Sequence, residues 1–345
     1  MGRHRYRIRE IALQAGLSEA TVDRVLNQRG GVRVSTVREV HQAIADLDRQ
    51  STQLRLGGRT FVVDVVMQAP ERFSSAVRTA LEAELPFLRP AVMRARFHFR
   101  ETGPVDQLVA TLDRIADRGS HGVILKAPDV PEVTAVAGRL VGAGIPVVTL
   151  VTDVPTSERL AYIGMDNHAA GATAAYLIGQ WLGQEPGNIL ITLSSGSFRG
   201  ELERESGFCS VMQSMNLDRS LLEITESDGL DETLRDLVID ALESDPEIKA
   251  VYSIGGGNHA TLEAFEKMQR PCSVFIAHDL DKDNRLLLPK GRLSAVLHHD
   301  LNQDMRRACH LIMHAHQALP GAIRSVPSSI QVVTPYNMPT LVSPP

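Results

Sequence analysis

The stretch SEATVDRVLN, residues 18–27, lies in the first tenth of a 345-residue chain and reads as a short helix with a sharply divided surface. Ser18 is placed to cap its start by accepting a backbone N–H. Val22, Val25 and Leu26 fall on one face at helical spacing, toward Ile11, Ala12 and Leu17 of the preceding segment. Glu19, Ala20, Asp23, Arg24 and Asn27 are left outward. Upstream, residues 9–15 read as another short helix, and Ala15-Gly16 supplies the tight turn between the two. A helix that enters the DNA major groove needs small or polar residues at its start with an apolar stripe behind them. The pair therefore reads as a helix-turn-helix, with residues 18–27 as its recognition half.

Charge separates this head from the rest. Residues 1–60 hold eleven arginines, no lysine and six acids (Glu10, Glu19, Asp23, Glu39, Asp46, Asp48), a surplus of five positive charges. The remainder then holds 25 basic and 35 acidic residues, for a formal −5 overall. A small basic head on an acidic body suits phosphate contact by the head alone. The three cysteines (Cys209, Cys272, Cys309) are widely spaced and odd in number, which predicts no disulfide framework and a reducing compartment. No signal peptide is legible, and no apolar run approaches the roughly 20 residues needed to span a bilayer. A soluble, cytoplasmic protein with no membrane contact is expected.

The head is predicted to hold three helices, over 9–15, 18–27 and 36–48, with Gly30-Gly31 ending the second and Ser35 capping the third. The polar segment 49–59, closing on Gly57-Gly58, reads as a linker or hinge. Beyond it, short apolar β-branched runs at 61–67, 122–126, 146–151, 188–193, 250–254, 273–277 and 293–297 alternate with amphipathic stretches such as 105–118, 130–141, 169–182 and 230–242. That alternation predicts an α/β body of parallel sheets covered by helices on both faces. Ligands in such sheets bind beyond the C-terminal strand ends.

Head plus body resembles the lactose-repressor (LacI) family of bacterial transcription regulators over nearly the whole chain. The head carries the specific part: Ile8-Arg9-Glu10-Ile11-Ala12, Ala15-Gly16-Leu17-Ser18, Ala20-Thr21-Val22 and Arg24-Val25-Leu26-Asn27. In the body, Gly164-Met165-Asp166-Asn167 with Gly171, and Arg204-Glu205-Ser206-Gly207-Phe208, resemble the family's GxDN and RxxGF patterns. The resemblance implies a small all-α helix-turn-helix head followed by two doubly wound α/β subdomains that close on a small ligand, a periplasmic-binding-protein-like (type I) module. The expected division is a head over 1–48, a hinge over 49–59 and an effector-binding and dimerisation domain over 60–345. Within the last, one subdomain takes 60–163 and 300–326, and the other 164–299 and 327–345.

Two departures stand out. Asp23 occupies a position on the DNA-facing side where the family usually has serine; its carboxylate repels phosphate but could accept from cytosine N4 or orient Arg24. The hinge lacks the family's Pro-Asn pair and the alanine before a wedging leucine. Leu56 best matches the wedge, with Leu54 as the other choice, and wedging needs a helical hinge to hold the kinked duplex.

For DNA, Glu19 and Ala20 hold the positions that face base edges in the family, toward a cytosine and a thymine methyl respectively. Arg24 is the candidate for a guanine contact, unless it pairs with Asp23 or Glu19 on a solvated face. Ser18, Thr21 and Asn27 suit phosphate contacts, which position without reading sequence. Arg7, Arg9, Arg29 and Arg33 flank the helices and add sequence-independent attraction. One head reads too few base pairs for genomic specificity, so a homodimer on a pseudo-palindromic operator is expected.

For a ligand, the residues after successive strands are Arg72 and Phe73, Asp129, Asp153, Asn258, His278-Asp279 and His299. Phe73 could stack on an apolar ligand face or pack in the core. Carboxylates and amides from several strand ends suit a ring of hydroxyls. Arg199 and Arg204 follow residues 188–193, and an arginine fork binds two adjacent hydroxyls, a carboxylate or a phosphate. A sugar, polyol or sugar acid is the expected effector.

His310 and His314 are four apart in a predicted helix, but the HExxH glutamate is missing, and no metal or other cofactor is expected. No GxSxG elbow is present. His278-Asp279 and His299-Asp300 could form an acid–base set, but nothing supplies a nucleophile beside them, so no enzyme is expected. A ligand-responsive regulator follows, most simply a repressor of carbohydrate or polyol genes. A transport-type solute-binding protein would share the body without the basic head, and a ligand-blind repressor would lose the polar strand-end set.

Overall fold

The structure is a computed structural model that describes residues 5–215, 219–225, 227, 230–320 and 325–339, and the backbone alone for 52–56. The head is three helices: α1 (Ile8–Ala15), α2 (Glu19–Leu26) and α3 (Val34–Leu56). Ser18 caps α2 by accepting from the Thr21 N–H at 3.2 Å. Gly16 ends α1 at φ 65, a left-handed turn in which glycine pays no Cβ penalty. Ile11, Ala12, Val22, Val25, Val40 and Ala43 are buried together, a core separate from that of the body.

Helix α3 is longer than the sequence reading, which stopped it at residue 48 and made 49–59 a linker. The segment holds no glycine or proline before Gly57, its residues have fair helix propensity, and Arg49 pairs with Asp46 one turn back. The helix therefore runs on until Gly57-Gly58, where Gly58 takes φ 73. The side chain of Leu56, the candidate wedge, lies outside the described residues.

The body holds two sheets. The first is all parallel, in the order β2-β1-β3-β4-β5, from β1 (Thr60–Gln68), β2 (Val92–Arg100), β3 (Gly122–Lys126), β4 (Val147–Leu150) and β5 (Ala161–Ile163). Helices α4 (Glu71–Glu84) and α12 (Leu301–Ala315) cover one face through Val77, Leu81, Met305 and Ile312. Helices α5 (Val105–Arg118) and α6 (Pro131–Gly142) cover the other through Leu112, Ile115, Val133 and Leu140.

The second sheet runs β11-β10-β9-β8-β6-β7, from β6 (Asn188–Thr192), β7 (Leu221–Ile224), β8 (Ile248–Ser253), β9 (Val274–His278), β10 (Ala295–His298) and β11 (Gln331–Val333); only β11 is antiparallel, pairing with β10. Helices α7 (Asn167–Leu182) and α8 (Arg199–Ser214) pack on one face, α9 (Asp231–Ser244) and α10 (Asn258–Lys267) on the other. A short helix, α11 (Lys282–Leu287), follows β9.

The chain crosses between the sheets three times: from β5 to α7, from β10 to α12, and from α12 to β11. These crossings are tied together. Met165 in the first bridges Ser328 in the third, whose hydroxyl donates to Asp304 Oδ1 at 2.6 Å, and Asp304 Oδ2 lies 2.5 Å from His299 Nδ1 in the second.

Strands β2, β5, β7 and β11 went unanticipated in the sequence. β2, VMRARFHFR, sits at a sheet edge and places Arg96 and His98 beside Asp64, a fully buried carboxylate in the middle of β1. Arg118 joins them. Burial pushes the Asp64 carboxyl up, but hydrogen bonds from Arg96, Ser120 and His98 outweigh it and hold it below the usual carboxylate range. A depressed folded value adds stability above the unfolded pKa that is lost as pH falls through the folded one. Asp64→Asn should therefore lower stability by about 2 kcal/mol at pH 7, the partly exposed arginines moderating the loss. Its melting temperature should also depend less on pH below about 4. Parallel melting curves of parent and variant across the acid range would contradict this.

Candidate functional site in the cleft between the sheets

Both sheets point their C-terminal strand ends at a cavity of about 780 Å3, counting its open mouth. One wall comes from the ends of β1, β3 and β4 and the start of α4: Gln68, Arg72, Phe73, Lys126 and Thr152. The opposite wall brings Ser194, Glu201, Arg204, His278, Asp279 and Asp281.

Arg204 is 3% exposed and projects from α8, where its Nε donates to Asn167 Oδ1 at 2.8 Å. Asn167 is fixed in turn by donating to the Val151 carbonyl (3.1 Å) and the Tyr162 hydroxyl (3.0 Å). Thus the GxDN asparagine holds the RxxGF arginine. Arg204 Nη2 itself is buried without a hydrogen-bond partner.

His278, at the end of β9, meets the Tyr252 hydroxyl through Nε2 at 2.8 Å and leaves Nδ1 buried and unpartnered. Burial and the Arg204 charge push its pKa well below the ordinary histidine range, so the ring is neutral at pH 7. Asp279 follows in a left-handed conformation, φ 61, with Oδ1 buried and outside hydrogen-bond distance of any donor. Its nearest basic neighbour is His299 Nε2, 3.7 Å away. A non-glycine residue held at positive φ is a mark of a site over-determined by its surroundings. Buried polar groups are ordinarily satisfied. Three such atoms on one cavity wall form a template of hydrogen-bonding positions for a polar ligand.

The remaining carboxylates are committed. Glu201 accepts from Ser194 N (2.8 Å) and Ser194 Oγ (2.5 Å), shaping the turn after β6. Asp281 caps α11 by accepting from the Asp283 and Asn284 N–H groups, and burial raises its pKa to about 6. Arg72 reaches across the cleft to Asp281 at 3.4 Å and to the Gly255 carbonyl at 3.5 Å. A second tie at the rim joins the Asp129 N–H to the Ser197 carbonyl at 2.9 Å and its carboxylate to Arg199 at 3.6 Å.

Of the ten ligand candidates read from sequence, the structure brings Arg72, Phe73, Arg204, His278 and Asp279 onto the cavity wall. The other five lie off it. Asp153 is bound by Arg159 (2.5 Å) and Thr149 (2.7 Å), a local ion pair. Asp129 and Arg199 are partners of each other, and Arg199 also holds Glu203 at 2.8 Å. Asn258 donates to Asn284 Oδ1 at 2.7 Å inside the second subdomain. His299 stands behind Asp279, held by Asp304. Lys126, Ser194, Glu201 and Asp281 were missed, although a lysine closing a buried strand was a visible signal.

On α2, Ser18, Glu19, Ala20, Arg24 and Asn27 are exposed, as is Arg9 on α1, while Thr21 and Asp23 are half-buried. Asp23 does not orient Arg24. It accepts from Asn27 Nδ2 (2.7 Å) and pairs with Arg29 (3.0 Å), which neutralises the unusual carboxylate on this face.

His314 and His316 each turn a ring nitrogen toward a backbone carbonyl, of Leu319 and His121. Among the described residues no helix is long and apolar enough to cross a membrane.

Two α/β subdomains around a ligand-sized cleft define a binding module, here preceded by a helix-turn-helix. The chain belongs to the periplasmic binding protein domain family, whose model matches residues 90–317, and residues 7–49 match bacterial regulatory proteins of the lacI family. This fusion is the non-catalytic architecture of ligand-responsive transcription regulators of the LacI family.

Solved structures share the body. A solute-binding protein from Burkholderia graminis in complex with D-arabinose is 19% identical (TM-score 0.73), with 84% of this chain and 99% of that one covered. GanP, a glucose-galactose binding protein from Geobacillus stearothermophilus, is 19% identical (TM-score 0.71; 82% and 99%). A candidate LacI transcriptional regulator from Bacteroides fragilis is also 19% identical (TM-score 0.69; 81% and 98%). Likeness at this identity shows the fold. No curated protein matches the chain.

Proposed function

We propose that this chain is a cytoplasmic, homodimeric regulator, a repressor of carbohydrate or polyol uptake and catabolism genes. Residues 1–48 would read half of a pseudo-palindromic operator, 49–59 would carry the hinge, and 60–345 would bind a small sugar-like effector and hold the dimer. The observation that carries the effector class is the cavity wall. Arg204 Nη2 from α8, and His278 Nδ1 and Asp279 Oδ1 from the end of β9, offer donor and acceptor positions, matched to hydroxyls that both donate and accept. The solved neighbours named for glucose, galactose and arabinose favour the same class.

Selection of bound duplexes from a random library tests the DNA half. Two inverted half-sites should be enriched. Arg24→Ala should relax preference at one position per half-site by about 1–3 kcal/mol. Enrichment of no site, or of an unpaired half-site unaffected by Arg24→Ala, would overturn the docking model. Ligand closure of the cleft shifts operator occupancy only by its differential affinity for the two states.

A further inference from the structure

The cavity holds two cations without a carboxylate partner. Neither Lys126 nor Arg204 has a carboxylate oxygen within 4.0 Å among the described residues. Lys126, partly buried at the end of β3, donates to the Gln68 carbonyl at 3.2 Å, and its ammonium sits 4.1 Å from the Phe198 ring centroid. Arg204 faces it from α8. Of the four acids on the wall, Glu201 and Asp281 are committed as described, and Glu101 accepts from the Glu71 N–H at 2.8 Å. Asp279 alone keeps an unpartnered buried oxygen. A guanidinium cannot lose its proton, and buried charges are stable only when paired. The Lys126 ammonium and the unpartnered Arg204 Nη2 line the same cavity with no carboxylate in contact, so a ligand carboxylate can accept from both.

Resting on the sugar-like reading above, we propose that the effector is a sugar acid, a polyhydroxylated monocarboxylate whose carboxylate lies between Lys126 and Arg204 and whose hydroxyls meet Asp279 and His278. A fork to one carboxylate oxygen pair is the arrangement arginine favours, and the ammonium adds a point charge. Lys126 would be the residue that separates the acid from its neutral parent sugar.

The proposal has a pH signature. Burial, aided by the Arg204 charge and opposed by Glu201 and Asp279, lowers the Lys126 ammonium to about 8. A bound carboxylate raises that value, so binding is at full strength below about 8 and takes up a proton above it. His278 stays neutral throughout, and Asp281 titrates below this window at about 6.

The test is titration calorimetry on the full chain with D-gluconate, D-galactonate and D-glucuronate, each beside its neutral sugar, and D-glucose 6-phosphate. At least one acid should bind tenfold or more tightly than its neutral counterpart at pH 7. Its affinity should fall about tenfold between pH 8 and pH 9.5. Lys126→Met, which keeps length and the contact with Phe198, should abolish the preference for the acid while leaving the unliganded melting temperature within a few degrees. Binding of neutral sugars in preference to every acid overturns this proposal and leaves the sugar-sensor function standing, as does preference for the phosphate ester. If no compound binds, both fall. Should Lys126→Met unfold, the parent's acid-over-neutral ratio and pH profile decide alone.

Discussion

Gly171→Ala and Gly207→Ala are each expected to drop the melting temperature by more than about 6 °C. A Cβ at Gly171 would lie 1.8 Å from the Arg204 carbonyl oxygen, and one at Gly207 would lie 2.0 Å from that of His168. Both obstacles are backbone, so no side chain can swing aside; α7 and α8 must separate. Overpacking costs of ~3 kcal/mol or more are in keeping with such a clash, and ~1 kcal/mol corresponds to about 2–4 °C in a domain of this scale. Because Arg204 rides on α8 at that contact, whatever folded population remains should bind effector poorly. A Gly171→Ala protein melting within about 2 °C of the parent would show that the helices part easily and that this contact does not set Arg204's place.

Arg204→Ala should behave in the opposite way, sparing the fold and removing the ligand. Charged hydrogen bonds contribute about 1.5–3 kcal/mol, so affinity for the compound that best stabilises the parent should fall roughly 10- to 150-fold. Removing a buried cation with no carboxylate partner leaves one acceptor, Asn167 Oδ1, to be resatisfied, and the unliganded protein should melt within a few degrees of the parent. Thermal shift measured with and without the compound separates the two effects. Undiminished affinity would place the effector elsewhere.

The two sheets were legible in sequence wherever a strand was buried on both faces. Gly122–Lys126 and Asn188–Thr192 are short apolar runs that only a covered parallel sheet explains. Edge strands were not legible. β2 alternates arginine and histidine with apolar residues because its polar side serves Asp64, and β7 and β11 are short strands at the ends of the second sheet. The site was legible only in outline. Strand-end position selects both Asp279 and Asp153, and what distinguishes them is the partner each finds. Arg159, six residues on, occupies Asp153, whereas nothing in the described structure occupies Asp279 Oδ1. Such partnership depends on three-dimensional neighbours that spacing along the chain does not encode.

The continuous helix α3 makes the head a load on a rod. Its inner half packs against α1 and α2 around Val40 and Ala43, while its far end meets Gly57-Gly58, where glycine's backbone freedom would allow a pivot. Val40 precedes Gly57 by seventeen residues, about 25 Å of helix at ~1.5 Å per residue. A swing of about 10° at the pivot therefore carries the head roughly 4 Å, more than the ~3.4 Å rise of one base pair. A modest change of angle between the subdomains would thus be geared up into a full step of DNA register, with the recognition surface itself left unaltered.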